Sequence, residues 1–265
     1  MKEILDLGTR IYVTSKDRVL SSTSSKGNQI KWYCNGKWIK ADDLGYEGFA
    51  ESVASRLLHK SNISDYVEYK CVQISETDTD KEYTGCISEN FLESGESLIT
   101  LYRLFTSYGI NLDLAMQPLS TEERIEYVVK KVEEFTGLSE FREWLGLLLE
   151  FDAVILNEDR HLHNIGVVKG ENGYRLMPVF DNGAGLLSDT TRDYRLGAAV
   201  SNYIHKVRAK PFNTKFSKQV KAAQSVCSSL LSLEDVDYYT SNYYSEEIVE
   251  RVNRLIEITV NIHRR

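Results

Sequence analysis

Two polar clusters follow apolar segments near the middle of the chain, and both contain side chains that can accept a proton or ligate a hard metal ion. The first, "NEDRHLHN", contains Asp159, His161 and Asn164, and the second, "FDNG", contains Asp181. The apolar runs "NIGVV" and "YRLMPVF" flank the turn "KGENG" between the clusters, so a hairpin would return Asp181 to the neighbourhood of Asn164. Carboxylate and amide oxygens suit Mg²⁺, and a carboxylate can accept a proton. Either cluster alone is also typical of a solvated turn, whereas the combination favours a reactive site.

The residues before this region predict a β-rich segment with one helix. The strands "QIKWYC" and "KWIKAD" are joined by Asn35-Gly36, a strong signal for a two-residue hairpin. The stretch "LGYEGFAESVASRLLHKS" has apolar residues at helical spacing, and "YVEYKCVQIS" and "EYTGCISENF" predict two more strands. Lys40 is therefore expected on the second strand of the hairpin, and Glu47 and Glu51 on one face of the helix.

From about residue 95 the pattern becomes helical. Ser120 and Glu123 have the spacing of a capping box ahead of "TEERIEYVVKKVEEF", and "SEFREWLGLLLEFDAVIL" is apolar enough to predict a central helix that leads into the first polar cluster. The last segment, "SEEIVERVNRLIEITVNIHRR", predicts another amphipathic helix. The sequence thus predicts an α+β protein of two lobes. Residues 1–93 would form a small antiparallel β lobe with one helix, and residues 94–265 a mainly helical lobe.

Composition limits the classes of protein that fit. At 265 residues, with 42% hydrophobic and 27% charged residues, the chain resembles a globular protein that can bury its own core. Its formal net charge of -7 argues against direct nucleic-acid binding, and no apolar stretch predicts a signal peptide or a transmembrane segment. Cys34, Cys71, Cys86 and Cys227 form no CxxC pair and are expected to be free thiols. We therefore expect a cytoplasmic location, with export by a non-classical route compatible with the sequence.

The order of the polar residues resembles the catalytic region of protein and lipid kinases. In such enzymes an Asp handles the acceptor hydroxyl, an Asn a few residues later ligates the metal ion, and an Asp after the next hairpin holds Mg²⁺ against the phosphates. The resemblance assigns Asp159, Asn164 and Asp181 to these positions. The motifs "DRHxxN" and "FDNG" differ from the motifs "HRDxxxxN" and "DFG" of ordinary protein kinases. The sequence is similar to phosphatidylinositol kinases and, across more of the chain, to HipA-like Ser/Thr kinases of bacterial toxin-antitoxin systems and their short CtkA-type relatives.

The same resemblance implies a nucleotide-binding function for the N-terminal region. Lys40, in preference to Lys31, would bind the α- and β-phosphates of ATP. Its counter-ion would be Glu47 or Glu51, of which HipA-like kinases favour Glu47. The Ser-rich stretch "SSTSSKGN" takes the place of the nucleotide loop, and "SENF" takes that of the hinge. The ATP-contacting residues implied in these two segments are Ser24, Ser25, Lys26, Gly27, Glu89 and Phe91. The loop also offers autophosphorylation candidates, namely Ser22, Ser24 and Ser25.

Further polar residues near the motif have two interpretations each. Neutral His161 is expected to orient Asp159 or contact phosphate, with a backbone-bonded loop histidine as the alternative. Arg160 and His163 are expected to face solvent, and a zinc site on the two histidines is not expected. Basic residues after Asp181 form either a substrate-binding or phosphate-binding face or an ordinary solvated surface. These residues are Arg192, Arg195, Lys206, Arg208 and Lys210.

The motifs and the resemblance together predict an ATP- and Mg²⁺-dependent Ser/Thr protein kinase that acts on a protein substrate, and the resemblance implies that it can autophosphorylate. A lipid or small-molecule kinase would use the same catalytic groups, and a pseudokinase or binding module would keep the fold without the reaction. An antitoxin-type or other regulatory partner is implied by the resemblance alone. Full-length HipA proteins carry an extra N-terminal subdomain and a larger helical lobe that this sequence is not expected to include, so toxicity is not expected to transfer with the resemblance.

Overall fold

The computed structural model describes residues 1–19 and 29–264. The chain divides into two compact units, each assembled from segments that are separate in sequence. The first unit comprises Met1–Asn90, Phe180–Val207 and Leu233–Arg265, and the second comprises Phe91–Val179 and Arg208–Ser232. The division into lobes of residues 1–93 and 94–265 stays a prediction.

The described residues contain ten strands and eight α-helices. The strands are β1 (Lys2–Ile4), β2 (Asp6–Val13), β3 (Lys31–Cys34), β4 (Lys37–Ala41), β5 (Lys70–Glu76), β6 (Lys81–Glu89), β7 (Ser97–Thr100), β8 (Gly166–Gly170), β9 (Gly173–Leu176) and β10 (Tyr238–Thr240). The helices are α1 (Glu47–His59), α2 (Leu101–Ser107), α3 (Leu112–Met116), α4 (Thr121–Thr136), α5 (Phe141–Ile155), α6 (Ser201–Ile204), α7 (Phe216–Cys227) and α8 (Glu246–His263). None of these helices is long and apolar enough to cross a bilayer.

A five-stranded sheet in the order β2-β5-β6-β4-β3 forms the centre of the first unit. Asn35 and Gly36 join β3 to β4 with φ angles of 52° and 75°, as a two-residue hairpin requires. The predicted antiparallel pairing is present in β3-β4, β4-β6 and β5-β6. Strand β2 instead runs parallel to β5, because a long connection rather than a hairpin separates these two strands.

The two faces of this sheet have different partners, since side chains alternate along each strand. One face carries an apolar cluster that includes Trp32, Ile39 and Val72. The other face carries Lys40 and Cys86, which lie opposite each other on β4 and β6, and α1 covers it. Because Ile39 enters the apolar cluster, its neighbour Lys40 must point toward α1.

Helix α1 lies close to the sheet because two glycines meet there. A Cβ atom on Gly48 would collide with the backbone of Gly85, and a Cβ atom on Gly85 would collide with the carbonyl oxygen of Lys40. A larger residue at either position would push the helix away from β6. Glu51 follows Gly48 by about one helical turn, so this close approach brings Glu51 within reach of Lys40.

The C-terminal part of the chain completes the first unit. Strand β10 pairs in parallel with β1. Beyond β10, the ring of Tyr244 stacks on Phe49 of α1 with 5.2 Å between centroids, and its hydroxyl donates to the Asp42 carboxylate at 2.8 Å. This segment therefore supports the start of α1, a contact between distant parts of the chain that the sequence did not predict.

The second unit combines five helices with a three-stranded sheet in the order β7-β8-β9. The predicted capping box is present at the start of α4: Ser120 accepts the N–H of Glu123 at 3.3 Å, and Glu123 accepts the N–H of Ser120 at 2.8 Å. The predicted central helix is α5, which packs against α4 and α7. The hairpin expected after the first polar cluster is β8-β9, while β7, which lies on the other side of β8, was not predicted.

Candidate active site

Lys40 is the centre of an ionic cluster in the first unit. Its side chain is 9% exposed, and its Nζ donates to Glu51 Oε1 at 2.7 Å and to Asp181 Oδ1 at 2.8 Å. The ammonium also lies 5.0 Å from the ring centroid of Tyr69. Burial disfavours the charged form, but the carboxylates of Asp181 and Glu51 outweigh burial and raise the pKa of Lys40 well above its usual value. Lys40 is therefore a permanent cation held between two carboxylates.

Glu51 links Lys40 to the second polar cluster. The Glu51 side chain is 2% exposed, and its second oxygen, Oε2, accepts the backbone N–H of Asn182 at 2.8 Å. One carboxylate from α1 thus holds both the ammonium of β4 and the backbone next to Asp181. Movement of α1 away from the sheet would break the contact with Lys40.

Glu47 has a different function from the one that the family resemblance favoured. Its carboxylate accepts the backbone N–H groups of Leu44 at 2.7 Å, Gly45 at 3.1 Å and Asp43 at 3.3 Å. These bonds close the loop that leads into α1, and they turn Glu47 away from the lysine. The preference for Glu47 as the partner of Lys40 is therefore wrong, because Glu51 occupies that place.

Asp181 lies in the segment after β9, five residues beyond the end of that strand. Its φ angle is 60°, in the left-handed region that Asp and Asn tolerate better than most residues. The side chain is 31% exposed and presents an acidic group beside the ammonium of Lys40. A half-exposed carboxylate in this setting has the chemistry of a Mg²⁺ ligand.

Asp159 belongs to a separate polar group in the second unit. Its Oδ1 lies 3.3 Å from Nζ of Lys210, and its Oδ2 lies 3.8 Å from Nε2 of His161. Its backbone carbonyl accepts a hydrogen bond from Nδ2 of Asn164 at 2.9 Å. This bond commits the amide nitrogen of Asn164 to the loop, so the amide oxygen is the atom that could ligate a metal ion. The sequence indicated Asp159, His161 and Asn164, but it placed Lys210 only in a general basic group.

His161 is held in one neutral form. Its Nδ1 accepts the backbone N–H of His163 at 3.2 Å, so the proton of the neutral ring lies on Nε2, the nitrogen that faces Asp159. Burial lowers the pKa of His161 below its usual value, and this effect is stronger than the opposing charge of Asp159. His161 is therefore neutral at pH 7 and directs an N–H group toward the carboxylate. His163 is exposed, as expected, and stacks on Tyr102 with 4.3 Å between ring centroids.

A buried ion pair supports the loop that carries Asp159. Arg160 and Asp152 are both fully buried, and their closest charged atoms lie 3.0 Å apart. The same Asp152 carboxylate accepts from the Asn157 amide at 3.1 Å, and the Asn157 side chain in turn accepts the backbone N–H of Asp159 at 3.1 Å. Arg160 also donates to the backbone carbonyl of Asn164 at 3.4 Å. The expectation that Arg160 faces solvent is wrong, because it is the internal counter-ion of an acid that α5 buries.

The other residues predicted to bind nucleotide or substrate lie outside these two polar groups or outside the described residues. The predicted loop residues Ser22, Ser24, Ser25, Lys26 and Gly27 lie outside the described residues. Glu89 is exposed and pairs with Lys37 at 2.6 Å, and the carbonyl oxygen of Phe91 accepts a hydrogen bond from Arg175 at 3.0 Å. Arg192, Arg195, Lys206 and Arg208 are exposed. Nucleotide contacts by any of these residues stay predictions.

Some of the missed residues had a signal in the sequence. Glu150 and Asp152 interrupt a helix that is otherwise apolar, which indicates buried acids that need internal partners. Lys210 had no such signal, because its approach to Asp159 depends on the packing of a segment that is distant in sequence. Among residues 1–19 and 29–264, no group of three His, Cys, Asp or Glu side chains could hold a metal ion. All four cysteines are free, as predicted.

The fold is similar to that of a solved kinase structure. The chain is similar to the Helicobacter pylori proinflammatory kinase CtkA, with a TM-score of 0.60 and 14% sequence identity over 96% of this chain and 95% of that chain. The predicted α+β, CtkA-like kinase fold is therefore confirmed. A second solved structure, HipA of the Shewanella oneidensis toxin-antitoxin system in complex with HipB and operator DNA, has a TM-score of 0.44 and 14% identity, covering 94% of this chain and 66% of that one. No family model and no curated protein sequence matches the chain.

Proposed function

We propose that the protein is an ATP- and Mg²⁺-dependent Ser/Thr protein kinase. The observation that carries this proposal is the cluster of buried Lys40 and Glu51 with the partly exposed Asp181, in which 2.7 Å and 2.8 Å separate the ammonium from the two carboxylates. Phosphoryl transfer in kinases uses this combination: a lysine for the nucleotide phosphates, a helical Glu that orients it, and an Asp for the metal ion. The three residues come from distant parts of the sequence, and structural stability alone gives no reason for a buried lysine with two acids.

Each polar group has a defined function in the proposed reaction. Lys40 would bind the α- and β-phosphates, and Asp181 and the amide oxygen of Asn164 are the groups that would ligate Mg²⁺, which would neutralise phosphate charge. Asp159 orients the acceptor hydroxyl and takes its proton, while the γ-phosphoryl group moves to the acceptor oxygen and ADP leaves. Neutral His161 supports this step by directing its Nε2–H toward Asp159.

The test is phosphoryl transfer from γ-labelled ATP by the wild type and by Asp181→Asn. The substitution removes the metal-binding carboxylate while leaving Glu51 beside Lys40, so the fold should survive and turnover should fall by about 100-fold or more. Asp113→Asn is the matched control, because Asp113 is an exposed acid of α3. Undiminished transfer by Asp181→Asn would exclude the proposed mechanism.

The acceptors that receive label in this assay show whether the protein phosphorylates proteins, lipids, small molecules or itself. Protein, lipid and small-molecule acceptors are offered separately, and the kinase itself is digested to map any phosphate in residues 21–25. Label in the lipid or small-molecule fraction alone would replace the protein-kinase proposal by the alternative kinase class. Stabilisation by nucleotide without turnover would indicate a binding module. A regulatory or antitoxin-type partner and a cytoplasmic location stay predictions.

A further inference from the structure

The backbone of Lys210 is held in place by a buried amide. Gln219 of α7 is fully buried, and its Nε2 donates to the carbonyl oxygen of Lys210 at 2.9 Å. The Oε1 of Gln219 accepts the N–H groups of Phe212 at 3.0 Å and Asn213 at 3.1 Å. Arg124 donates to the Phe212 carbonyl at 3.2 Å, which attaches the same segment to α4. The start of the Lys210 side chain therefore has a fixed position in the second unit.

From this position the lysine reaches Asp159. Its Nζ lies 3.3 Å from Oδ1, while His161 faces the other carboxylate oxygen. The lysine side chain is 42% exposed and the Asp159 side chain 14% exposed, so the ammonium approaches the carboxylate from the solvent side. Asp159 thus has an ammonium 3.3 Å from one carboxylate oxygen and Nε2 of His161 3.8 Å from the other.

Stability does not explain this arrangement. An ion pair with a half-exposed lysine contributes about 0–1 kcal/mol, because solvent screens it and ordering the long side chain costs entropy. Gln219, whose amide is hydrogen-bonded at both ends, fixes the backbone from which the ammonium extends, so the fold sets where this cation starts.

The geometry of proton removal puts the lysine near the reacting atoms. An acceptor hydroxyl must lie about 2.6–3.2 Å from the carboxylate oxygen that takes its proton. If Oδ1 takes the proton, the acceptor oxygen would be no more than about 6.5 Å from Nζ of Lys210, and the side chain has rotatable bonds to shorten that distance. The phosphoryl group that joins this oxygen carries negative charge, which a nearby ammonium stabilises.

We propose that Lys210 is a catalytic residue that neutralises the phosphoryl group during its transfer to the acceptor held by Asp159. In this step the bond from phosphorus to the β,γ-bridging oxygen breaks and the bond to the acceptor oxygen forms. Asp159 takes the acceptor proton, and Lys210 keeps its own. This inference rests on the proposed kinase function and extends it to a residue outside the motif.

The experiment compares Lys210→Met, Lys210→Arg and Lys218→Met with the wild type, using γ-labelled ATP and the acceptor that the wild type labels. Lys218 is an exposed lysine of α7 in the same unit and is the matched control. We expect Lys210→Met to lower kcat by about 100-fold or more, Lys210→Arg to recover part of the loss, and Lys218→Met to match the wild type. The affinity for ADP and the thermal midpoint should stay nearly unchanged in all three variants, because the proposal gives Lys210 no contact with ADP and its half-exposed ion pair with Asp159 contributes little to stability.

A double substitution separates catalysis from a structural effect. In an Asp159→Asn background, adding Lys210→Met should change turnover by less than about threefold, since both residues act in one step. Independent losses that multiply, or a kcat of Lys210→Met within about threefold of the wild type, would overturn the inference. If Asp181→Asn is inactive while Lys210→Met is fully active, only the inference fails. If the wild type transfers no phosphate to any acceptor, the proposed function fails and the inference fails with it.

Discussion

Replacing Glu51 by Gln tests which acid of α1 is the functional partner of Lys40. The substitution keeps the size of the side chain and one acceptor oxygen for the N–H of Asn182, but it removes the negative charge 2.7 Å from Nζ. Glu47→Gln is the matched comparison, because it makes the same chemical change about one turn earlier on the helix. Glu47 contacts backbone N–H groups rather than the lysine.

The expected magnitudes differ for the two variants. Removing one partner of a buried ion pair costs about 3–5 kcal/mol because a buried charge is left without compensation. Asp181 still compensates Lys40, so we expect the lower end, about 3 kcal/mol in the free energy of unfolding for Glu51→Gln. Glu47→Gln weakens backbone hydrogen bonds and should cost about 1 kcal/mol. In turnover, misplacement of Lys40 should cost Glu51→Gln about 100-fold, and Glu47→Gln much less.

Urea unfolding measures the stability of both variants, and γ-labelled ATP transfer measures turnover under conditions where both are folded. The reasoning is refuted if Glu47→Gln loses more turnover than Glu51→Gln, or if Glu51→Gln matches the wild type in both measurements. Either result would mean that the contact between Lys40 and Glu51 does not serve the reaction.

Two further ion pairs give independent predictions. Asp152→Asn leaves Arg160 without its fully buried counter-ion, so the free energy of unfolding should fall by about 3–5 kcal/mol in urea titrations; a loss below about 1 kcal/mol would contradict the supporting role given to this pair. The ion pair between Glu96 and Arg175 predicts a dependence of stability on pH. The hydrogen bond from Arg175 lowers the pKa of Glu96 from 4.5 to about 2. A lowered carboxyl pKa stabilises the fold above the unfolded value, so this contribution is complete above pH 4.5 and is lost as the pH falls toward 2. Urea unfolding at several pH values should therefore show a steeper loss between pH 4.5 and 2 in the wild type than in Glu96→Gln, and equal slopes would disprove the linkage.

The elements predicted well are those whose signals are local. Asn35-Gly36 produced the expected hairpin because the two residues tolerate positive φ angles without help from the rest of the chain. The capping box at Ser120 formed because both of its hydrogen bonds join residues three positions apart. Strand alternation likewise put Lys40 on the face opposite Ile39. In each case the interacting groups are close in sequence, so no long-range packing has to be known.

The failures involve residues whose partners are distant in sequence. Arg160 is a charged residue in a polar segment, which is typical of a surface position. It is buried because it pairs with Asp152, which α5 places in the interior. The parallel pairing of β2 with β5 depends on the path of a long connection. The convergence of Asp181 with Asn164, expected from the hairpin, involves residues of different units and stays a prediction.

By itself the sequence determined which chemical groups this protein has and which local elements carry them, because helix caps, hairpin turns and strand alternation depend on residues a few positions apart. The tertiary structure alone decided that Glu51 rather than Glu47 meets Lys40, and that Lys210 lies beside Asp159. Both glutamates lie on one face of α1, so helical periodicity cannot separate them. The choice is made by Gly48 and Gly85, whose missing side chains let the helix approach the sheet one turn before Glu51.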